Sequence, residues 1–399
     1  MKPHLYFISL FRIGLCFLPF LLFGCKRSNV SVQEGKLFKD LPVVATKKGD
    51  LTVADLSKIK ENVSLPLSTF TEELVILKLD DDGDALVSPT KTKLSDNYMF
   101  VMGRNSIPFK LFSKQSGKFL ANIGAFGQGP GEYQFVYDFQ LDEKNDRVYL
   151  LPWNARNILS YDLKGKFIGT IPLCFNLPKG KFHIDSENNR LTVVALPFTG
   201  IEAVTWTQDL EGKLIHSVEP GHLTIQPDFS NEVYGGKVGN TFSLSIFTFG
   251  PRLDSLYNYG NEKMTPVFTL DFKGKEPSIH SYSETTKYFL GQLSEPKKIN
   301  DQTTRTQNNM FFIIDKNTLG GTFFELKNDF LGDLLIEWPT GYFEEDYFCQ
   351  NMDPGLLKTQ LEETLKNPDL TSEVIAKVKE LIGSISDNDN NYILYAKWK

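Results

Sequence analysis

Histidine, the side chain best placed to move protons near neutral pH, is scarce in this chain. Beyond residue 24 only His183, His216, His222 and His280 remain, with no HxH or HExxH pair. No GxSxG segment is present to hold a serine on a nucleophile elbow. Glu344, Glu345 and Asp346 are neighbours in sequence, but adjacency does not set two carboxyl groups on either side of one bond. Asp80-Asp81-Asp82-Gly83-Asp84 offers oxygen ligands, yet stepping back in twos from Asp82, just before Gly83, passes Asp80 and reaches Lys78 where a calcium loop needs its first oxygen. The run reads as a solvated hairpin tip, and Asp387-Asn388-Asp389-Asn390 as an exposed turn. No catalytic residue, metal site or cofactor is assigned on these grounds.

Binding chemistry is better supplied. Trp153, Asn154 and Arg156 follow one strand-like stretch, and Arg104 with Asn105 leaves another. An aromatic face stacks on sugars or apolar groups, and a guanidinium clamps carboxylates. Arg104, Trp153, Asn154 and Arg156 are therefore the candidate ligand-binding residues. Gly127-Gln128-Gly129-Pro130-Gly131 lacks the Lys-Ser/Thr and following helix of a phosphate loop. It reads as a sharp crossover between structural units.

Residues 1–24 read as an export signal. Lys2 and Arg12 precede or flank the apolar run 13–23, which is interrupted by Pro19 and shorter than the roughly 20 residues of a membrane span. It ends in Leu22-Phe23-Gly24-Cys25, similar to the lipobox at which bacterial lipoproteins are cleaved and acylated on the cysteine, so Cys25 is expected to carry lipid. Losing Lys2 and Arg12 takes the formal charge from −6 to −8. An acidic body without a Lys/Arg cluster excludes nucleic acid as an expected partner. Cys174 and Cys349 are then the remaining thiols, free to pair in an oxidising compartment or to stay separate.

What positions the candidate residues is a repeat. Gly117, Gly165 and Gly212 each precede Lys, and stand 48 and 47 residues apart. Asp162-Leu163 and Asp209-Leu210 precede the latter two turns at the same offset. Strand-like stretches rich in Phe, Tyr, Val and Ile flank each turn. Four short strands repeated at roughly 40–50 residues make a β-propeller blade. Helical matter must be subtracted: Asp353-Pro354 opens one helix with Leu357, Leu361 and Leu365, and a second follows Thr371 and is closed by Gly383. Six blades remain. The expected division is 1–24 lipoprotein signal peptide, 25–60 lipidated N-terminus and polar linker, and 61–399 an all-β, six-bladed β-propeller. Within the last lie a helical insertion at about 353–383 and a closing strand at about 391–398, pairing with Leu41–Ala45 or Val63–Leu67.

The stretch 124–167, with Gly127–Tyr133, the Asn145-Asp146-Arg147 turn, the strand Val148–Leu151 and Arg156-Asn157-Ile158 leading to the Gly-Lys turn, resembles an NHL-type propeller repeat. The whole chain resembles the six-bladed β-propeller lipoproteins of Gram-negative bacteria, NHL/TolB-like in fold. The resemblance implies fold and envelope context more than chemistry, since propellers host enzymes, ligand binders and scaffolds alike. The expected protein is an outer-membrane lipoprotein facing the periplasm, held by palmitate-type acylation. It would capture an envelope protein, peptide or glycan on a propeller face. A propeller-based envelope hydrolase or lyase is the alternative class, and a structural subunit of an envelope complex the third.

Overall fold

The computed structural model describes residues 23–25, 38, 40–104, 106–250, 252–300, 303–344 and 346–399. Residues 1–22 of the expected signal peptide, most of the linker before residue 40, and Asn105 and Glu345 lie outside them, and for Phe23–Cys25 only the backbone is described.

The described residues form a six-bladed β-propeller. Blade 1 runs from its innermost strand outward as Thr92–Leu94, Tyr98–Val101, Phe109–Ser113 and Phe119–Ile123. Blade 2 is Val136–Asp142, Arg147–Pro152, Ala155–Tyr161 and Phe167–Leu177, and blade 3 is Gly180–Asp185, Arg190–Ala195, Thr205–Gln208 and Leu214–Val218. Gly117, Gly165 and Gly212 lie between the third and fourth strands of these three consecutive blades, with φ of 70°, 85° and 91°. That left-handed region strains any residue with a Cβ. Space matters as much as angle. A Cβ on Gly117 would overlap the carbonyl oxygen of Lys78, one on Gly165 that of Asn122, and one on Gly212 would crowd Pro172. Each turn therefore presses on the blade before it, which is why glycine recurs at the blade period. Asp162 Oδ1 closes its turn by accepting from the N–H groups of Lys164 and Lys166 at 3.0 and 2.9 Å. Asp209 Oδ1 does the same for Glu211 and Lys213 at 3.1 and 2.7 Å.

A sheet cannot shield both of its faces, so apolar side chains collect between blades. Phe100, Phe109, Phe139, Leu150 and Tyr161 fill the space between blades 1 and 2. Tyr149, Ile158, Phe182, Val193 and Trp206 fill the next. Separate clusters follow around the ring to Leu77, Met99, Phe112 and Ile393 between the last blade and the first.

The second half of the ring is stitched from distant segments. Blade 4 is Glu232–Val238, Thr241–Phe247, Leu256–Gly260 and Lys263–Leu270. The hairpin Ala45–Lys48 and Leu51–Ala54 extends its outer edge, with Leu51–Ala54 parallel to Lys263–Leu270. Part of the expected polar linker is thus sheet. Blade 5 is Ile279–Glu284, Tyr288–Asn300, Thr303–Asp315 and Gly321–Asn328, and Asn62–Pro66 runs parallel to its outermost strand. Blade 6 joins both chain ends: Tyr347–Met352 pairs with Tyr392–Lys397, which pairs with Leu74–Lys78, and Phe23–Cys25 borders the latter.

The terminal strand therefore does not pair with Leu41–Ala45 or Val63–Leu67, as the sequence reading expected. Leu74, Ile76 and Leu77 are buried, as a strand inside a blade requires. In Asn62–Pro66 only Leu65 is buried, which suits an outer strand. Val43 is 60% exposed. Asp81–Asp84, Asp387 and Asn388 are exposed, as expected, but the expectation fails at Asn390. Asn390 is buried, and its Nδ2 donates to the carbonyls of Asp80 and Ala85 at 2.8 and 2.9 Å while its Oδ1 accepts from Val87 N–H at 3.1 Å. These acidic runs fasten the seam between blades 6 and 1.

Tyr347–Met352 runs in the direction opposite to the innermost strands of blades 1, 2, 4 and 5. Asp346 and Tyr347, at its beginning, share one channel mouth with Leu94, Leu141, Val238 and Glu284 at or near the ends of theirs. Asn351 Nδ2 donates to Ser88 O and Thr92 Oγ1 near the other. The 3-10 turn Pro339–Glu344 packs between Tyr347–Met352 and Ile279–Glu284. The helices Pro354–Thr364 and Ser372–Ser384 are inserted between the first two strands of blade 6. Asp353 and Thr371 cap them by accepting from Leu356 and Val374 N–H. Leu357, Leu361, Val378 and Leu381 are buried against blades 5 and 6. Gly383 does not close the second helix; it ends at Ser384, with Ile385 extended.

Candidate functional site: an aromatic cleft between blades 2 and 3

Trp153 and Asn154 form the turn between the second and third strands of blade 2. Asn154 takes φ 52°, a left-handed conformation that asparagine tolerates. The turn is tied on three sides. Trp153 N–H donates to Phe135 O, Asn154 N–H donates to Pro178 O, and Asn176 Nδ2 donates to Asn154 Oδ1, each at 2.9 Å. Trp153 is thereby held upright while 41% of its surface stays exposed.

Three phenylalanines from separate connections join it. Phe135 precedes blade 2, Phe198 lies between the second and third strands of blade 3, and Phe229 precedes blade 4. Trp153 meets Phe135 edge-on at 6.3 Å and Phe229 at 5.4 Å, and Phe229 meets Phe198 at 5.6 Å. Phe135 and Phe229 are 66% and 56% exposed, whereas Phe198 is buried and forms the floor. The cleft holds about 630 Å³, and its rim carries the polar groups Asn154, Asn176, Thr199 and Glu202. Solvent-facing aromatic area of this kind has unmet apolar burial to offer a ligand.

Lys179 fixes the far wall. Its ammonium is buried and donates to the carbonyls of Phe229 and Asn231 at 2.6 and 3.0 Å and to Glu232 at 2.7 Å. It also lies 5.9 Å from the Trp153 ring and 5.6 Å from that of Tyr137. Tyr137 donates to Glu232, and burial together with that carboxylate pushes its phenol far above the ordinary value. The hydroxyl therefore remains a donor. Asp228 is held below the usual carboxylate range by the side chain and backbone of Ser230, which fixes the loop carrying Phe229.

Of the four candidate ligand-binding residues, Trp153 and Asn154 line this cleft. Arg156, on the next strand, and Arg104, on the corresponding turn of blade 1, are exposed but outside its lining. Phe135, Phe198, Phe229, Asn176 and Lys179 were not legible as site residues. Nothing local distinguishes Phe229 among 32 phenylalanines. The Gly127–Gly131 run lies in the crossover between blades 1 and 2, where Gly129 N–H donates to Glu132 at 2.8 Å. Cys174 and Cys349 are not joined by a disulfide and stand on different blades. Among the described residues no group of three or more His, Cys, Asp or Glu could hold a metal ion. No helix among them is long and apolar enough to cross a membrane.

Fold and site together define a six-bladed β-propeller whose loops present a concave aromatic surface, an architecture suited to binding or interaction. The chain belongs to the DUF4934 family, a domain of unknown function, whose match spans residues 51–397. Among curated proteins none matches it. A Bacteroides fragilis protein to which export is ascribed shares 18% identity at a TM-score of 0.56, covering 86% of this chain and 99% of its own. A DUF4221 protein of Bacteroides vulgatus shares 12% identity at a TM-score of 0.43, over 82% of this chain and 97% of its own. At such identities the first likeness speaks for fold alone, and the second carries no further argument.

Proposed function

We propose that this protein is a lipid-anchored binding module of the cell envelope, which captures a peptide, protein or glycan ligand in the cleft around Trp153. The observation that carries the reading is the exposed Phe135–Trp153–Phe229 surface, with the Trp153 turn tied by Phe135 and Pro178 carbonyls and the Phe229 loop by Lys179. Rigid aromatic anchors lose little entropy on binding, and a polar rim orients the bound group. An apolar side chain or the face of a sugar ring fits between the rings. Support for the anchor is the Leu22–Cys25 sequence after a short apolar run. In this reading cleavage removes Phe23 and Gly24 from the edge beside Leu74–Lys78, and acylated Cys25 holds the propeller at the periplasmic face of the outer membrane.

Two measurements test the two halves of the proposal. The purified soluble domain is titrated with envelope glycans and with peptides from envelope proteins while tryptophan fluorescence is followed. A saturable ligand that binds Trp153→Ala at least tenfold more weakly, with an unchanged melting curve, is the expected result. A ligand bound equally by wild type and Trp153→Ala would remove the cleft from the reading. For the anchor, full-length protein is expected to partition into detergent and Cys25→Ala into the aqueous phase; equal partitioning removes the lipid.

A further inference from the structure

One section of the central channel gathers lysines from three blades. Lys91 and Lys93 from blade 1, Lys181 from blade 3 and Lys237 from blade 4 line one cavity of about 440 Å³ on the ring axis. The other charged or titratable groups in its lining are Asp138, Asp346 and His183. Among the described residues, four ammonium groups thus face two carboxylates in a chain of formal charge −6, and Lys91 and Lys93 also have partners of their own. One of those carboxylates is shared: Asp138 lies 3.5 Å from Lys181 and 3.9 Å from Lys93, and its Oδ2 also accepts from Phe182 N–H. The side chains of Lys181 and Lys93 are 18% and 21% exposed. Their charges are therefore only partly screened by water.

The surroundings report the same field. His183, in the same lining, is held at about 4 by burial first and then by Lys237 and Lys93, against the opposing pull of Asp185 and Asp142. Gly235 and Gly236 place no side chain where blade 4 meets the cavity, and Gln140, Tyr347 and the ring of Phe242 complete its wall. A second cavity shares Lys91, Thr92, Lys181 and Tyr347 with this one, and a third shares Leu94, Lys237 and Tyr347, so it is reached from both ends of the ring. No arginine is in the lining. Lysines act as compact point charges and do not impose the planar, two-pronged geometry of a guanidinium. They suit an anion whose charge is high and distributed.

We infer that the channel is a binding site for a small organic or inorganic oxyanion bearing two or more negative charges, held by Lys91, Lys93, Lys181 and Lys237. The site is separate from the aromatic cleft, whose lining shares none of these residues. It does not depend on what the cleft captures.

The test is calorimetric titration of the soluble domain with citrate and, separately, with pyrophosphate, at matched ionic strength, with acetate as the single-charge control. Saturable one-to-one binding of citrate or pyrophosphate, at least tenfold tighter than acetate, is expected. Which of the two binds distinguishes a polycarboxylate ligand from a phosphate-bearing one. Lys237→Gln and Lys181→Gln should each weaken it at least fivefold, while Lys366→Gln, a surface lysine paired with Glu363, should leave it unchanged. Lys237 is exposed, so its variant decides the matter if Lys181→Gln does not fold. Absence of saturable binding by both anions, or equal affinity in Lys237→Gln, would overturn the inference.

Discussion

Blades 1–3 and blades 4–6 use the same four-stranded plan but are held in the ring differently. In the first three, the chain enters at the channel, works outward, and returns through a glycine turn that presses on the preceding blade. Contacts there join segments near one another in sequence. In the last three, outer or inner positions are filled from elsewhere: residues 45–54 on blade 4, 62–66 on blade 5, and both chain ends in blade 6. The turns differ accordingly. Blade 4 makes its outer hairpin with Asn261 and Glu262 at φ 47° and 61°, without the Gly-Lys signal. The repetitive half gains its geometry locally, while the stitched half depends on closing long loops, whose entropy only the completed ring offsets. The aromatic cleft sits mainly on the repetitive side: three of its four loops belong to blades 2 and 3, and the fourth, carrying Phe229, leads into blade 4.

The largest test of this contrast is removal of residues 391–399. Tyr392, Ile393, Leu394 and Ala396 are buried, and burying each large side chain is worth roughly 1.5–3 kcal/mol. Together with a lost central strand, that approaches the whole stability of about 5–15 kcal/mol typical of a domain. The truncated chain should show no cooperative melting transition; an unchanged melting temperature would mean that the ring does not depend on its seam. A milder cut at the same place is Asn390→Ala, which strands two carbonyls and one N–H and should cost about 2–3 kcal/mol in denaturant unfolding.

Turn glycines sharpen the comparison further. Gly165→Ala meets both a φ of 85° and the Asn122 carbonyl, and should cost about 2–4 kcal/mol. Gly49→Ala, in the added hairpin on blade 4, meets a φ of 63° but open space, and should cost only about 1 kcal/mol. Equal losses in chemical denaturation would show that the inter-blade approach adds nothing beyond backbone strain.

A modest, pH-dependent effect lies on the axis that both halves share. His183 is held at about 4, below the ordinary 6.5, by burial and the channel lysines. Below about pH 6.5 the unfolded chain binds a proton that the folded chain still refuses. Stability should therefore fall by about 1–3 kcal/mol between pH 6.5 and 4, then level off. His183→Gln should flatten that part of the profile. A slope unchanged by the substitution would assign it to other groups.

The fold was legible where chemistry is local. The glycine spacing, the Asp162 and Asp209 turn residues and the Asp353 and Thr371 helix caps all act within a few residues of themselves. The site was half legible. Trp153 and Asn154 announce themselves as an aromatic and a turn former side by side. Phe135 and Phe229 do not, because the ring each of them meets, Trp153, lies 18 and 76 residues away, respectively, and nothing in their own surroundings records the encounter. Asn390 looked like an exposed turn residue for the same reason, since the carbonyls it satisfies lie some 300 positions earlier.

By itself, then, the sequence determined the repeating unit: strand length from alternating apolar residues, turns from glycine and aspartate, and a number of blades from period and length. Only the tertiary structure decided which strand seals the ring, that the blade 6 inner strand is reversed, and that aromatic side chains from four loops and lysines from three blades converge. Backbone conformation is set by neighbours along the chain, whereas side-chain encounters across a closed ring are fixed by packing every blade at once.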